Sequence, residues 1–83
     1  YAKIAEQVIQ YVGGKKNIKS VAHCATRLRF QLRDNSLRNE EALSDLEGVK
    51  GVFLTQSQFQ IIFGSGTVNL VCAEVQKQLG TGI

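Results

Sequence analysis

A chain of 83 residues with 43% hydrophobic content can bury one core and is too short for two. Ten Lys and Arg against seven Asp and Glu give a net charge of +3, which leans toward anionic partners but lacks the dense basic stripes of dedicated nucleic-acid binders. The longest apolar run, around Ile61-Ile62-Phe63, is too short to span a bilayer, and Cys24 and Cys72, in no Cys-x-x-Cys arrangement and with no secretory leader in view, are expected as free thiols of a reducing compartment.

From Lys3 to Val12 the residues Ile4, Ala5, Val8, Ile9 and Val12 recur at helical spacing, and Gly13-Gly14 predicts the end of that helix. Ile18 to His23 reads as a strand, followed by a turn at Cys24-Ala25. Thr26 to Asp34 then alternates strictly, with Leu28, Phe30 and Leu32 on one face and Arg27, Arg29, Gln31 and Arg33 on the other. Asn39 is a suitable N-cap for a short helix with Glu40 and Glu41 in its first turn and Leu43 and Leu46 toward the core. Gly51 to Thr55 and Gln58 to Gly64 form a second hairpin. Ser65 is expected to cap a last helix whose stripe is Val68, Val71, Cys72, Val75 and Leu79, closed by Gly80. The order helix-strand-strand-helix-strand-strand-helix predicts an α+β fold, a four-stranded antiparallel sheet with helices packed on one face.

Chemistry concentrates in His23-Cys24-Ala25-Thr26-Arg27-Leu28-Arg29-Phe30. A thiolate is the reactive form of cysteine, and neighbouring guanidinium groups favour it. Arg also matches phosphate oxygens with planar, paired donors. The amides of Ala25, Thr26 and Arg27 and the Thr26 hydroxyl are candidate phosphate donors, with Arg27 and Arg29 offsetting a phosphoryl charge of roughly −1.5 to −2. The competing reading makes Cys24 a small buried residue and the arginines solvated surface. Cys72, on the last helix's apolar stripe, is read as structural. His23 adjoins Cys24, but neighbouring strand side chains point to opposite faces, so it is placed at the rim rather than in a His-Cys pair. Gln60 faces away from Phe59, Ile61 and Phe63; it is read either as a phosphate contact or brace for Arg27, or as a solvated strand residue. His23 is the only histidine and no acidic cluster surrounds it, so neither a metal nor a cofactor is expected.

The pieces Gly13-Gly14, Asn17-Ile18, His23 to Phe30, Asp34, Leu46-Glu47-Gly48-Val49-Lys50-Gly51-Val52 and Gln60-Ile61-Ile62-Phe63-Gly64 resemble the enzyme IIB domain of the bacterial phosphoenolpyruvate-dependent sugar phosphotransferase system, in its glucose/sucrose-type branch. The resemblance implies that residues 1–83 are one IIB domain cut from a larger permease, in keeping with a chain that starts at Tyr1 and has no Met. It implies that Cys24 is phosphorylated by a phosphohistidine of a IIA domain and passes the group to a sugar held by the membrane-embedded IIC domain. The location implied is the cytoplasmic face of the cell membrane, with the domain itself outside the bilayer. Thr26, Arg27 and Arg29 match the family's threonine and two arginines, the arginines being associated with transfer to sugar, and Gln60 matches a glutamine near the phosphocysteine. Glucose-specific members carry an acidic residue where Ala22 stands and lack the His-Cys pair. The wording here is closer to sucrose, trehalose, β-glucoside or N-acetylmuramic acid members.

Two other chemistries use a similar set of residues. A nucleic-acid module could use the Arg27, Arg29 and Arg33 face, but Phe30, Phe59 and Phe63 fall on the apolar side, leaving no stacking platform and no nucleic-acid partner expected. A cysteine-dependent phosphatase places its arginine further along, where this chain has Phe30.

Overall fold

A computed structural model describes residues 1–80. Helix α1, Ala2–Tyr11, buries Ala5, Val8 and Ile9. It stops at Gly13 and Gly14, whose positive φ values of 111° and 91° suit residues without a Cβ. At Gly13 the lack of a side chain is also a packing requirement, because a Cβ there would lie 2.6 Å from Asn17 Nδ2.

Asn17 is the main polar residue of the core, at 5% exposure. Its Nδ2 donates to Val12 O at 2.7 Å and to Asp34 O at 3.0 Å, and its Oδ1 accepts from Asp34 N at 2.9 Å. One carboxamide therefore satisfies backbone groups at the end of α1 and beyond the second strand, as buried polar groups require.

Strand β1, Ile18–His23, pairs antiparallel with β2, Arg27–Leu32, with an irregularity between Ile18 and Ser20. The alternation expected to run to Asp34 ends at Leu32, because Asn17 captures the next two residues: Arg33 N donates to Asn17 O at 2.8 Å and Asp34 to its side chain. Helix α2, Glu40–Ser44, carries the expected cap, with Ala42 N donating to Asn39 Oδ1 at 3.1 Å.

Strands β3, Gly51–Leu54, and β4, Phe59–Ile62, form the second hairpin. They are shorter than the apolar runs suggested. Thr55 and Gln58 close the turn through a 2.8 Å backbone bond, and beyond β4 Phe63 N continues the register with β2 by donating to Thr26 O at 2.7 Å. Helix α3, Val68–Gln78, buries Val68, Val71, Cys72 and Val75. Ser65 does not cap it. A turn through Gly66, at φ 84°, separates Ser65 from the helix, and the cap position falls on Thr67, which makes no side-chain cap bond.

The sheet order is β1-β2-β4-β3, all neighbours antiparallel. Leu28 and Phe30 from β2, Phe59 and Ile61 from β4, and Phe63 meet the buried faces of α1, α2 and α3 in one core. Each large side chain so buried is worth about 1.5–3 kcal/mol. Among the described residues no helix covers the opposite face, which presents Ser20, Ala22, Arg27, Arg29, Gln31, Phe53, Gln60 and Ile62 by register. Among the described residues no helix is long and apolar enough to cross a membrane, and no group of side chains is arranged to hold a metal ion.

Candidate functional site

Cys24 occupies the turn between β1 and β2, where its amide donates to Arg27 O at 2.9 Å. The second tie, Phe63 N to Thr26 O, fixes this turn to the strand beside it. The tight chain reversal, closed by the Cys24 N to Arg27 O bond, turns the following amides of Thr26 and Arg27 toward the sulfur's side of the turn. The Thr26 and Arg27 backbone N–H groups are the main reason the Cys24 thiol sits below its ordinary pKa; burial opposes them, and the Arg29 side chain lowers it further. Cys24 is half-buried, open enough to react, and its surroundings favour the thiolate form.

The two arginines have different surroundings. Arg29 acts on the sulfur, and its Nε is buried with no hydrogen-bond partner. Such a donor costs about 1–3 kcal/mol, more when charged, until an acceptor arrives. Arg27 contributes its backbone to Cys24, while its guanidinium turns away: Nη1 donates to Gln60 Oε1 at 2.9 Å, and the group lies 5.4 Å from the centroid of the Phe53 ring. The expectation that both guanidinium groups reach the sulfur is thus corrected to one. Long strand side chains lean along the sheet toward whatever acceptor is nearest, and for Arg27 that is Gln60.

Gln60, at 7% exposure, is neither a solvated residue nor a free donor. Its oxygen braces Arg27 and its Nε2 donates to Gln58 Oε1 at 3.2 Å. His23 is exposed, and its Nδ1 lies 3.1 Å from Cys24 O, so the ring meets the turn's backbone. The Ala25 amide is absent from the groups acting on the sulfur; Ala25 instead lines a hollow of about 400 Å³ with His23, Cys24, Gly66, Val68 and Asn69. The last three were missed in the sequence. Gly64-Ser65-Gly66-Thr67 ahead of a helical stripe is the signal that could have found them, since such a run brings unpaired amides of a helix start to a neighbouring loop. Arg33 does not join a basic stripe, because its Nε donates to Lys16 O at 3.0 Å. A second cavity of about 270 Å³ lies between β1 and α3, lined by Ile18, Lys19, Val21, Gln76 and Leu79 among others, away from Cys24.

The structure is therefore that of a small α+β domain with an activated thiol in an amide- and arginine-lined turn. A sequence profile for the phosphotransferase system EIIB family matches residues 6–39. A domain of the phosphotransferase system IIabc component from Clostridium difficile has the same fold, with a TM-score of 0.85 and 48% identity over 90% of this chain and 78% of that one. The sucrose-specific EIIBC component of Pasteurella multocida is 51% identical over 82 residues, and the trehalose-specific EIIBC component of Bacillus subtilis 49% identical over 80. The chain spans about 17% of the length of these two relatives. It belongs to the EIIB family of the phosphotransferase system.

Proposed function

We propose that this domain is the phosphocysteine relay of a sugar phosphotransferase permease. Cys24 attacks, as the thiolate, the phosphorus of a phosphohistidine on a IIA partner, so that the P–N bond breaks as the P–S bond forms. The proton given up by the thiol is balanced by the one the departing imidazole takes from solvent. A sugar hydroxyl then attacks, the P–S bond breaks, a P–O bond forms, the hydroxyl proton leaves to solvent and the sulfur departs as thiolate. The observation that carries this reading is a half-buried Cys24 in the tight turn closed by its amide on Arg27 O, with the buried Arg29 Nε left without a partner on the strand that follows. Positive, fixed donors of this kind stabilise the charge that a transferring phosphoryl group spreads over its oxygens.

Arg29 Nε, buried without a partner, gains an acceptor when a phosphoryl oxygen arrives, and the Thr26 hydroxyl donates a further bond to it. Arg27 serves the onward step, with Gln60 as its brace. His23, Ala25, Gly66 and Asn69 line the hollow into which the IIA histidine would reach. The sugar belongs to a IIC membrane component, and relatives named for sucrose and trehalose favour a disaccharide. The domain works at the cytoplasmic face of the membrane as part of that permease.

Incubation with phosphoenolpyruvate, the general phosphotransferase proteins and a IIA domain, followed by intact mass, tests the first step. One phosphoryl adduct is expected on the wild type and none on Cys24→Ser. An adduct that survives this substitution, or no adduct with any of several IIA partners, rejects the relay.

The nucleic-acid reading gains nothing from the geometry. Arg27 is engaged by Gln60 and Arg33 by Lys16 O, and Arg29 Nε is buried. The outer face does hold one phenyl ring overlooked in the sequence, that of Phe53, and Arg27 lies over it.

A further inference from the structure

Phe53 is 51% exposed on the edge strand β3, on the side of the sheet opposite the core. By register the row Arg29-Gln60-Phe53 crosses β2, β4 and β3, and the adjacent row runs Arg27-Ile62-Gly51. Gly51 offers no side chain at the end of Arg27's own row. The guanidinium leans diagonally instead, within the reach that long side chains have across a sheet, and settles between Gln60 Oε1 and the Phe53 ring.

We propose that Phe53 is a positioning residue for Arg27, the ring and the Gln60 carboxamide together forming a seat that orients the guanidinium for transfer of the phosphoryl group from Cys24 to sugar. The proposal rests on the relay reading above. A single hydrogen bond to Gln60 fixes one N–H of Arg27 and leaves the plane free to turn about that bond. The phenyl face removes this freedom, since a cation over an aromatic ring is attracted by its quadrupole and guanidinium planes stack on such faces. Leucine supplies similar apolar bulk without a quadrupole, so Phe53→Leu removes the second side of the seat and leaves the strand in place. Arg29 and the turn amides, which act on the sulfur directly, are untouched by the change. Loading of Cys24 therefore stays as it is, and only delivery responds.

The test uses the domain with a phosphorylated IIA protein and membranes carrying the cognate IIC component, timing the two steps separately by rapid quench. Phe53→Leu is expected to slow sugar phosphorylation about two- to fivefold, the range of one partly exposed cation–π contact, with loading of Cys24 unchanged. Phe53→Trp is expected to keep the wild-type rate. In an Arg27→Ala background, Phe53→Leu is expected to cause no further loss. The Arg27 Nε–H resonance should lose a ring-current shift in Phe53→Leu and keep one in Phe53→Trp. Sugar transfer that is unchanged or faster in Phe53→Leu overturns the proposal, as does an equal loss in the Arg27→Ala background. If wild-type Cys24 is never phosphorylated the relay falls and this role with it; if the wild type relays normally while Phe53→Leu matches it, Phe53's role alone is rejected.

Discussion

Replacing Gln60 by leucine separates a brace on Arg27 from a residue that merely fills the sheet. The side chain is 7% exposed, accepts from Arg27 Nη1 at 2.9 Å and donates to Gln58 at 3.2 Å. A hydrogen bond from a charged donor contributes about 1.5–3 kcal/mol. Were all of it used in the transition state, transfer would fall roughly tenfold to over a hundredfold, at 1.36 kcal/mol per factor of ten. The Phe53 contact persists and still holds the guanidinium, so the lower end, about tenfold on sugar phosphorylation, is the expected loss. Stability should move by less than about 1 kcal/mol: leucine has a similar volume, and the half-buried Arg27 can turn its released N–H to water. Loading of Cys24 by IIA should not change, because the donors on the sulfur are elsewhere. The assay is paired, with urea unfolding for stability and rapid-quench timing of each transfer step. A Gln60→Leu protein with wild-type sugar transfer and normal stability refutes the bracing role; one that loses several kcal/mol makes Gln60 structural.

Two further outcomes test other parts of the structure. The Cys24 pKa is lowered first by the Thr26 and Arg27 amides and further by Arg29, so its thiolate persists to lower pH than that of an ordinary cysteine; the pH profile of alkylation by iodoacetamide should be displaced downward, and Arg29→Gln should move it back up. A folded pKa below the unfolded value also means that the contribution to stability is full above the unfolded thiol pKa and is lost as pH falls through the folded one. Coincident profiles for wild type and Arg29→Gln would detach Arg29 from the sulfur. Asn17→Ala removes three hydrogen bonds to backbone groups, at about 1 kcal/mol each, and should cost about 3 kcal/mol in urea unfolding; a loss under about 1 kcal/mol would mean that water replaces the carboxamide.

Strong local signals carried most of the architecture. The alternation of Leu28 and Phe30 with Arg27 and Arg29 put the arginines on the outer face, and the Asn39 cap and the Val68, Val71, Cys72 and Val75 stripe lie where pattern predicts. Signals that depend on tertiary partners were not legible. Ser65 looks like a cap by residue type, yet a glycine turn intervenes before α3. Asn17 ties α1 to the end of β2 through groups 5 and 17 residues away, which no local pattern marks. The same holds within the site. Spacing places Cys24, Arg27 and Arg29 together, but which guanidinium faces the sulfur depends on Gln60 and Phe53, contributed by the other hairpin. Gly66 and Asn69 reach the hollow only because α3 begins beside the Cys24 turn.

On the relay reading, this asymmetry between the arginines orders their work. Electrostatic help is most effective when donors are already in place before charge develops. Arg29 meets that condition at the sulfur and carries an unmet N–H in the resting domain, so arrival of a phosphoryl oxygen relieves a standing penalty and favours loading. Arg27 has no such penalty to relieve, since Gln60 and Phe53 already engage it, and it adds little to the ground-state affinity for the phosphoryl group. A carrier that bound its cargo with both guanidinium groups would deepen the intermediate and slow its release, because interactions equal in ground and transition states do not raise a turnover rate. Seating one arginine on the adjoining hairpin keeps the phosphocysteine shallow while leaving a second cation beside the turn for the step in which sulfur departs.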